Sequence, residues 1–449
     1  MSHTIHRREF LGKSVLVGTT LAGVHLGTAR GESRSPNEKL AHAAIGVGGM
    51  QGLTDFNALT KSPNIQVVAL CDVDRNHFKE ALTKFPDARL YQDFREMLDR
   101  EGDRIDSVNI TVPDHSHAAI ATMALKKGKH VYCQKPLTRT VSEARQLGLA
   151  AKQAGVVTRM GNQIHSHTAY RTGVALIQKG AIGRIKEVHS WIGASSKAWW
   201  GPNGADRPTH TDAVPAHLNW DVWLGPAPER PYVEKIYHPV NWRAWQSFGS
   251  ATLGDFGCHV LDPVFTALGL AAPLRLKAHS GPFNDETWPV WCVAEYVFRG
   301  TPYTAGKELK VTWYDGGKRP PEEVAELPEG ESLPGGGSVF VGTEGQMVLA
   351  HVAPPKLYPV KKFKDFPISP SEDGDHYVDW VDACRRGDNT ISDDFLYGGL
   401  LTETVQLGNI AIRYPNQTLQ WDSGQLKITN VAEANRWLTT SHREGFELS

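Results

Sequence analysis

The sequence predicts an α/β protein whose N-terminal part is a doubly wound parallel sheet with helices on both faces. Three observations predict it. An apolar run at 42–46 ends in the glycine-rich stretch GVGGMQG (46–52), and a helical pattern follows at 53–61. A second apolar run, IQVVALCDVD (65–74), ends in acidic residues. Helical and apolar segments then alternate as far as Gly161, which is the order that builds βαβ units.

Strand, glycine turn, helix, strand, acid is the order of a dinucleotide-binding unit. Gly46 permits the tight turn, and Gly48 lets the backbone approach a pyrophosphate. Gly49 and Met50 open the helix whose free N–H groups face the phosphates. Asp72 places a carboxylate for the ribose hydroxyls and would repel a 2′-phosphate, so NAD is favoured over NADP. The third glycine of the pattern is due at 51, where the chain has Gln51 with Gly52 beside it. That departure predicts a helix packed slightly differently on its strand.

The remaining elements follow from periodicity. Helices are predicted at 94–100, 117–128 and 142–155, with strands at 105–112, 130–134 and 156–161. Further on, strands are predicted at 288–298 and from 307, and a hairpin at 339–349. Helices follow at 373–387 and 399–414. Residues 315–338, rich in Pro, Gly and Glu, read as a mobile excursion.

A chain of 449 residues suits two domains with a sizeable core, at 40% hydrophobic and 22% charged residues. Lys+Arg 48 against Asp+Glu 49 leaves no basic surplus for nucleic acid or anionic lipid. The 5 cysteines include no Cys-x-x-Cys pair, so buried thiols are expected rather than disulfides or a zinc site. Arg7-Arg8, then an apolar and small-residue run from Val15 to Leu26, resembles a twin-arginine export signal over residues 1–30. It predicts a periplasmic protein with no membrane segment after the signal is removed. Because that route moves folded proteins, a cofactor can be loaded before export.

Two further stretches, TVPDHSHAA (111–119) and VYCQKPLT (131–138), carry a family resemblance together with the glycine turn. GNQIH (161–165), GAIGRIKEVHSW (180–191) and GDFGCHVLD (254–262) extend it. The chain resembles the Gfo/Idh/MocA oxidoreductases from residue 40 onward. The resemblance implies an NAD-binding Rossmann domain over 40–162. It also implies a substrate-binding α/β domain over 163–449 with a large, mostly antiparallel open sheet. That sheet often makes the oligomer contact, so a homo-oligomer is expected. The active site would lie between the domains, over the nicotinamide. By this similarity Thr111, Pro113, His117, Gln134 and Gln163 would contact the cofactor. Lys135 matches the lysine of the family's Glu-Lys-Pro motif, and Asp255 and His259 match its Asp-x-x-x-His. Gln134 stands where the family usually has glutamate.

These residue types suit proton and hydride chemistry. Lys135 can act as a base or a polarising donor. Asp255 and His259 share a helix face. The imidazole can take a hydroxyl proton while hydride leaves the same carbon for NAD, and Asp255 can orient that imidazole or bind a neighbouring hydroxyl. Asp262 is a weaker candidate, because Pro263 predicts a kink or a restart there. No third ligand at telling spacing supports a metal site. Residues 191–245 hold Trp191, Trp199, Trp200, Trp220, Trp223, Tyr232, Tyr237, Trp242 and Trp245, with His238, Asn241 and Arg243 among them. As a cluster they predict aromatic platforms for a sugar ring. His165, Tyr237, Trp242 and Arg243 join Asp255 and His259 as expected substrate contacts.

The expected function is an NAD-dependent oxidoreductase acting on a hydroxyl of a sugar, glycoside or cyclitol. An alternative is a redox-neutral glycoside hydrolase that oxidises, eliminates, hydrates and reduces on one bound NAD. A third is a non-catalytic sugar or nucleotide sensor.

Overall fold

Six strands form a parallel sheet in the order β3-β2-β1-β4-β5-β6. They are β1 (Leu40–Ile45), β2 (Ile65–Cys71), β3 (Arg89–Tyr91), β4 (Ser107–Ile110), β5 (His130–Gln134) and β6 (Thr158–Gly161). The computed structural model describes residues 39–193 and 203–448, so the proposed export signal and Trp199 and Trp200 lie outside the described residues. The central strands β1 and β4 are almost wholly buried, as a sheet covered on both faces requires. Strand order reverses between β1 and β4, and the carboxyl ends of strands there open the crevice in which doubly wound sheets bind ligands.

A nine-stranded sheet follows, with β7 (Ile185–Ile192), β8 (Arg275–Ser280), β9 (Cys292–Arg299), β10 (Glu308–Tyr314) and β11 (Gly336–Gly342). It is completed by β12 (Gln346–Ala350), β13 (Lys356–Tyr358), β14 (Leu419–Asp422) and β15 (Lys427–Ile428). The order is β13-β12-β11-β7-β10-β9-β8-β14-β15. β7 and β10 run parallel, and the other pairings are antiparallel.

Two long helices pack against this sheet. Ala251–Leu268 lies on β7 and β11, and Phe395–Ile412 lies on β8 and β9 while also touching β6 and the helix Val141–Ala154. Phe395–Ile412 is buried almost all round, because its neighbours come from both sheets. Both sheets belong to one compact unit.

Several expectations need adjustment. Ala251–Leu268 continues through Pro263 as one helix rather than restarting there. The 315–338 stretch is not a mobile excursion: Ala325 and Leu333 are buried against Trp191 and Tyr358, and Arg319 donates to the Leu333 carbonyl at 2.6 Å. Its apolar residues, few as they are, fill a satellite core on the sheet. The five cysteines are free and buried, as expected. No helix among the described residues is long and apolar enough to cross a membrane.

Candidate active site

The carboxyl ends of β1, β2, β4 and β5 and the start of helix Ala251–Leu268 line one cleft. At its floor Gly46 has φ +81°, and a Cβ there would sit 2.1 Å from the Thr111 carbonyl oxygen. Only glycine fits. A Cβ on Gly52 would lie 2.7 Å from the Gly46 oxygen, so Gly52 is the close-packing glycine, one position later than the usual spacing. Gln51, freed from that role, donates to Asp55 Oδ1 at 2.8 Å. The helix Gly49–Leu59 starts with no side-chain cap, which leaves amide donors at a positive helix end.

Asp72 Oδ2 accepts from the Val47 and Gly48 amides at 3.0 and 3.1 Å. The β2-end carboxylate therefore shapes the glycine loop as well as lining the cleft. An uncapped helix start, a tight turn that only a glycine at 46 can make, an acid at the end of β2 and apolar walls from Ile45, Val73 and Ile120 together fit NAD. Gly46, Gly48, Gly49, Met50, Asp72, Thr111, Pro113, Gln134 and Lys135 all line this cleft.

Lys135, Asp114, Arg243, Asp255 and His259 bring the titratable side chains of the cleft together. Lys135 Nζ donates to the Asp255 carbonyl at 3.0 Å and pairs with the Asp255 carboxylate. Arg243 Nε stands 3.8 Å from the same carboxylate, and its guanidinium lies 4.2 Å from the Trp242 ring centre. Asp255 is thus bracketed by two cations and does not orient His259. Asn162 does that: its Oδ1 faces His259 Nδ1 while its amide nitrogen donates to the Cys258 carbonyl at 3.0 Å. The second bond fixes which way the amide points. His259 Nδ1 therefore carries the hydrogen, and Nε2 is left as the proton acceptor. Burial, with Lys135 and His351 nearby, holds His259 well below the usual histidine range, so the ring is neutral.

Asp114 opens the helix Asp114–Lys126 directly behind Pro113. Burial pushes its carboxyl up to about 7, against the pull of Arg243. Gln134 Nε2 donates to Asp55 Oδ2 at 2.7 Å. Asp55 is fully buried and also receives Gln51, Thr111 and Tyr377. A carboxylate is therefore present near position 134 after all, carried by the first helix of the sheet.

One family model, an oxidoreductase family with an NAD-binding Rossmann fold, matches residues 40–162. Its companion, the family's C-terminal α/β domain, matches residues 174–301. The chain belongs to the Gfo/Idh/MocA oxidoreductase family. Its relatives include levoglucosan dehydrogenase of Pseudarthrobacter phenanthrenivorans, 29% identical over 185 residues, or 41% of this chain and 37% of that protein. Inositol 2-dehydrogenase of Rubrobacter xylanophilus is 29% identical over 165 residues, 35% of this chain and 45% of that one. The matched stretches thus span less than half the length of these relatives. Among solved structures, the WlbA dehydrogenase of Bordetella pertussis with NADH and UDP-GlcNAcA covers 86% of this chain and 99% of its own, at TM-score 0.61 and 16% identity. The aldose-aldose oxidoreductase of Caulobacter crescentus covers 86% and 100%, at TM-score 0.54 and 16% identity. These likenesses show the Gfo/Idh/MocA fold.

Four residues that the sequence assigned to the site lie elsewhere in this Gfo/Idh/MocA chain. His117 is fully buried between the carbonyls of Val112 and Pro136, 2.9 Å from each, and braces two strand ends. Gln163 sits in the turn Gln163–Ser166, outside the cleft; its neighbour Asn162 holds His259 instead. His165 pairs with Asp262 at 3.0 Å on another surface. Burial lowers its pKa, but Asp262 and Asp393 outweigh that and hold it at about 9, so it is a structural imidazolium. Tyr237 is 1% exposed, packed edge-on against Trp245 and Phe248.

The described aromatic stretch is accordingly mostly core. Trp220, Trp223, Tyr232, Tyr237, Trp242 and Trp245 form a satellite cluster with Phe248, while Trp191 is buried in β7. Only Trp223 and Trp242 of the cluster also reach the cleft wall. A long segment carried outside both sheets needs its own apolar centre. Asn162, Asp114 and His351 were not singled out as site residues. Asn162 and Asp114 lie inside the motif strings GNQIH and TVPDHSH. His351, whose ring centre is 5.9 Å from that of His259, has no sequence signal at all.

Proposed function

We propose that the protein oxidises a hydroxyl-bearing carbon of a sugar, glycoside or cyclitol, with NAD held tightly in the cleft. The observation that carries the reading is the neutral His259, with Nε2 as acceptor, beside the Lys135–Asp255–Arg243 group on the cofactor cleft. Bound NAD supplies the hydride acceptor at its nicotinamide ring. His259 Nε2 takes the hydroxyl proton, and Asn162 steadies the ring as it becomes charged. Lys135 Nζ donates to the oxygen as its carbonyl character grows, while Asp255 fixes the lysine's position. Arg243 and Asp255 hold neighbouring hydroxyls. By their names, the matched relatives are dehydrogenases of levoglucosan, inositol and D-apiose, which supports the substrate class.

A redox-neutral cycle is the second reading, and one observation favours it. Backbone bonds from Arg75 to His217 (3.0 Å) and from Asn219 to Val73 (2.8 Å) tie the 212–245 segment across the end of β2. His238, Pro239 and Trp242 of that segment line the cleft. A covered cofactor is slow to exchange, which suits a hydride returned within one turnover. Residues 1–30 complete the proposal as a twin-arginine signal that delivers the loaded protein to the periplasm. The assembled form is a homo-oligomer, checked by light scattering.

The test is to purify the protein without added cofactor, denature it and identify the released nucleotide by mass. Stoichiometric NAD(H), followed by turnover of glycosides or sugar pairs without net NADH, supports the redox-neutral cycle. NAD-dependent keto product with NADH released supports simple dehydrogenation. No NAD binding even in excess overturns both.

A further inference from the structure

Beside the cofactor cleft, one carboxylate oxygen is the focus of three imidazoles. Asp74 Oδ2 lies 3.3 Å from His238 Nε2, 3.7 Å from His217 Nε2 and 4.0 Å from His77 Nε2. Asp74 leaves the end of β2, while His217 and His238 come from the segment that crosses it. The ligand atoms of Asp74, His77 and His238 all lie within 4.8 Å of one another.

Only the 3.3 Å contact is near hydrogen-bond range; the other two are too long. Their spacing fits a different arrangement. Bonds of about 2.0–2.1 Å to a tetrahedral metal put ligand atoms roughly 3.3–3.4 Å apart, so a small contraction of these distances closes a coordination shell. His77 is already oriented for it: Nδ1 is held 3.0 Å from Asp72 Oδ1, which turns Nε2 toward Asp74. A carboxylate behind a histidine ligand is the usual support for a metal-bound imidazole. Asp74 is steadied likewise, with Oδ1 accepting the Asn76 amide at 2.9 Å. The side chains of Asp74 and His238 are 9% and 13% exposed and that of His77 is 23% exposed, so the group is shielded on one side and open to an entering ion on the other.

We infer that Asp74, His77 and His238 bind a divalent transition metal of the zinc class, with solvent completing the shell. Mixed imidazole and carboxylate donors suit zinc and its neighbours over calcium or magnesium, which favour oxygen ligands alone. The ion ties the crossing segment to the end of β2. It is therefore a clamp on the cover of the cofactor cleft, apart from the proton-handling residues.

The experiment uses the full, tag-free chain, dialysed against a chelator, loaded with Zn²⁺ and desalted. Metal content is read by mass spectrometry and the melting temperature with and without Zn²⁺. The expected result is about one Zn²⁺ per chain and a Zn²⁺-dependent rise in melting temperature. Both are lost in His238→Ala and in Asp74→Asn. A wild-type chain that retains no Zn²⁺, or variants that retain it as well as wild type, overturns the inference. Should either variant fail to fold, Co²⁺ loading of the wild type decides. Intense visible bands of a low-symmetry, four- or five-coordinate ion support the site, and the weak bands of an aquo-like ion overturn it.

Discussion

Asn162 holds His259 in one tautomer: its amide nitrogen is committed to the Cys258 carbonyl, so its oxygen can only accept from His259 Nδ1. The proton-accepting nitrogen on the cleft is thus set by a residue just beyond β6. Asn162→Ala should lower kcat roughly 100-fold, within the range for general-base positioning, with KM little changed. Asn162→Asp gives a sharper readout. The neutral ring, held low by burial, is competent down to acidic pH. A carboxylate at 162 raises the ring's pKa, so the acidic limb of the kcat profile should move to higher pH. An unmoved limb would show that His259 is not the base.

Lys135 and Asp255 form a shielded pair, each 11% exposed. Lys135→Met should remove activity by roughly 10²- to 10⁴-fold while NAD still binds. The melting temperature should fall too, since Asp255 keeps only the more distant Arg243. Steady-state kinetics and a thermal scan on the same preparation check both.

Gln134→Glu installs the residue the family usually carries, and here it should be harmful. Gln134 Nε2 is 2.7 Å from Asp55 Oδ2, so the glutamate would bring two buried carboxyl groups together. One must stay protonated. We expect a loss of about 2–4 kcal/mol in unfolding free energy, read by denaturant melts, and recovery of most of it in the double variant Asp55→Asn with Gln134→Glu.

His165 is raised to about 9 in the folded protein, from 6.5 when unfolded. Its contribution to stability is complete below pH 6.5 and disappears as pH rises through 9. Asp262→Asn should therefore destabilise the protein at pH 6 and much less at pH 9.5. The turnover of the folded variant should stay near wild type, because this pair faces away from the cleft. A large change in KM would return His165 to the substrate site.

Asp114 gives a slope of the same sign at lower pH, here because burial penalises its charged form. Its carboxyl is raised from 3.8 to about 7, so the folded cofactor-free protein binds an extra proton between those values and loses stability as pH climbs through them. Asp114→Asn should flatten the fall in melting temperature between pH 4.5 and 7.5.

The sequence by itself determined the parallel sheet and its glycine turn, and it pointed to Lys135, Asp255 and His259, which the fold brings to one cleft. These features are local. Alternating periodicity follows from burial on two faces, and a turn that only glycine can make leaves its mark in a few adjacent letters. Departures from the family pattern at Gln51 and Gln134 were visible too, but their shared partner Asp55 was not. Tertiary structure alone decided which polar groups meet. Lys135 finds Asp255 120 positions away, and His259 finds Asn162 97 positions away. It also decided that the described 203–245 aromatics mostly pack on one another, whereas their composition had predicted a sugar platform. An indole offers the same apolar face to a pyranose and to another indole. Which one it meets depends on what the fold lays over it, and no local pattern records that.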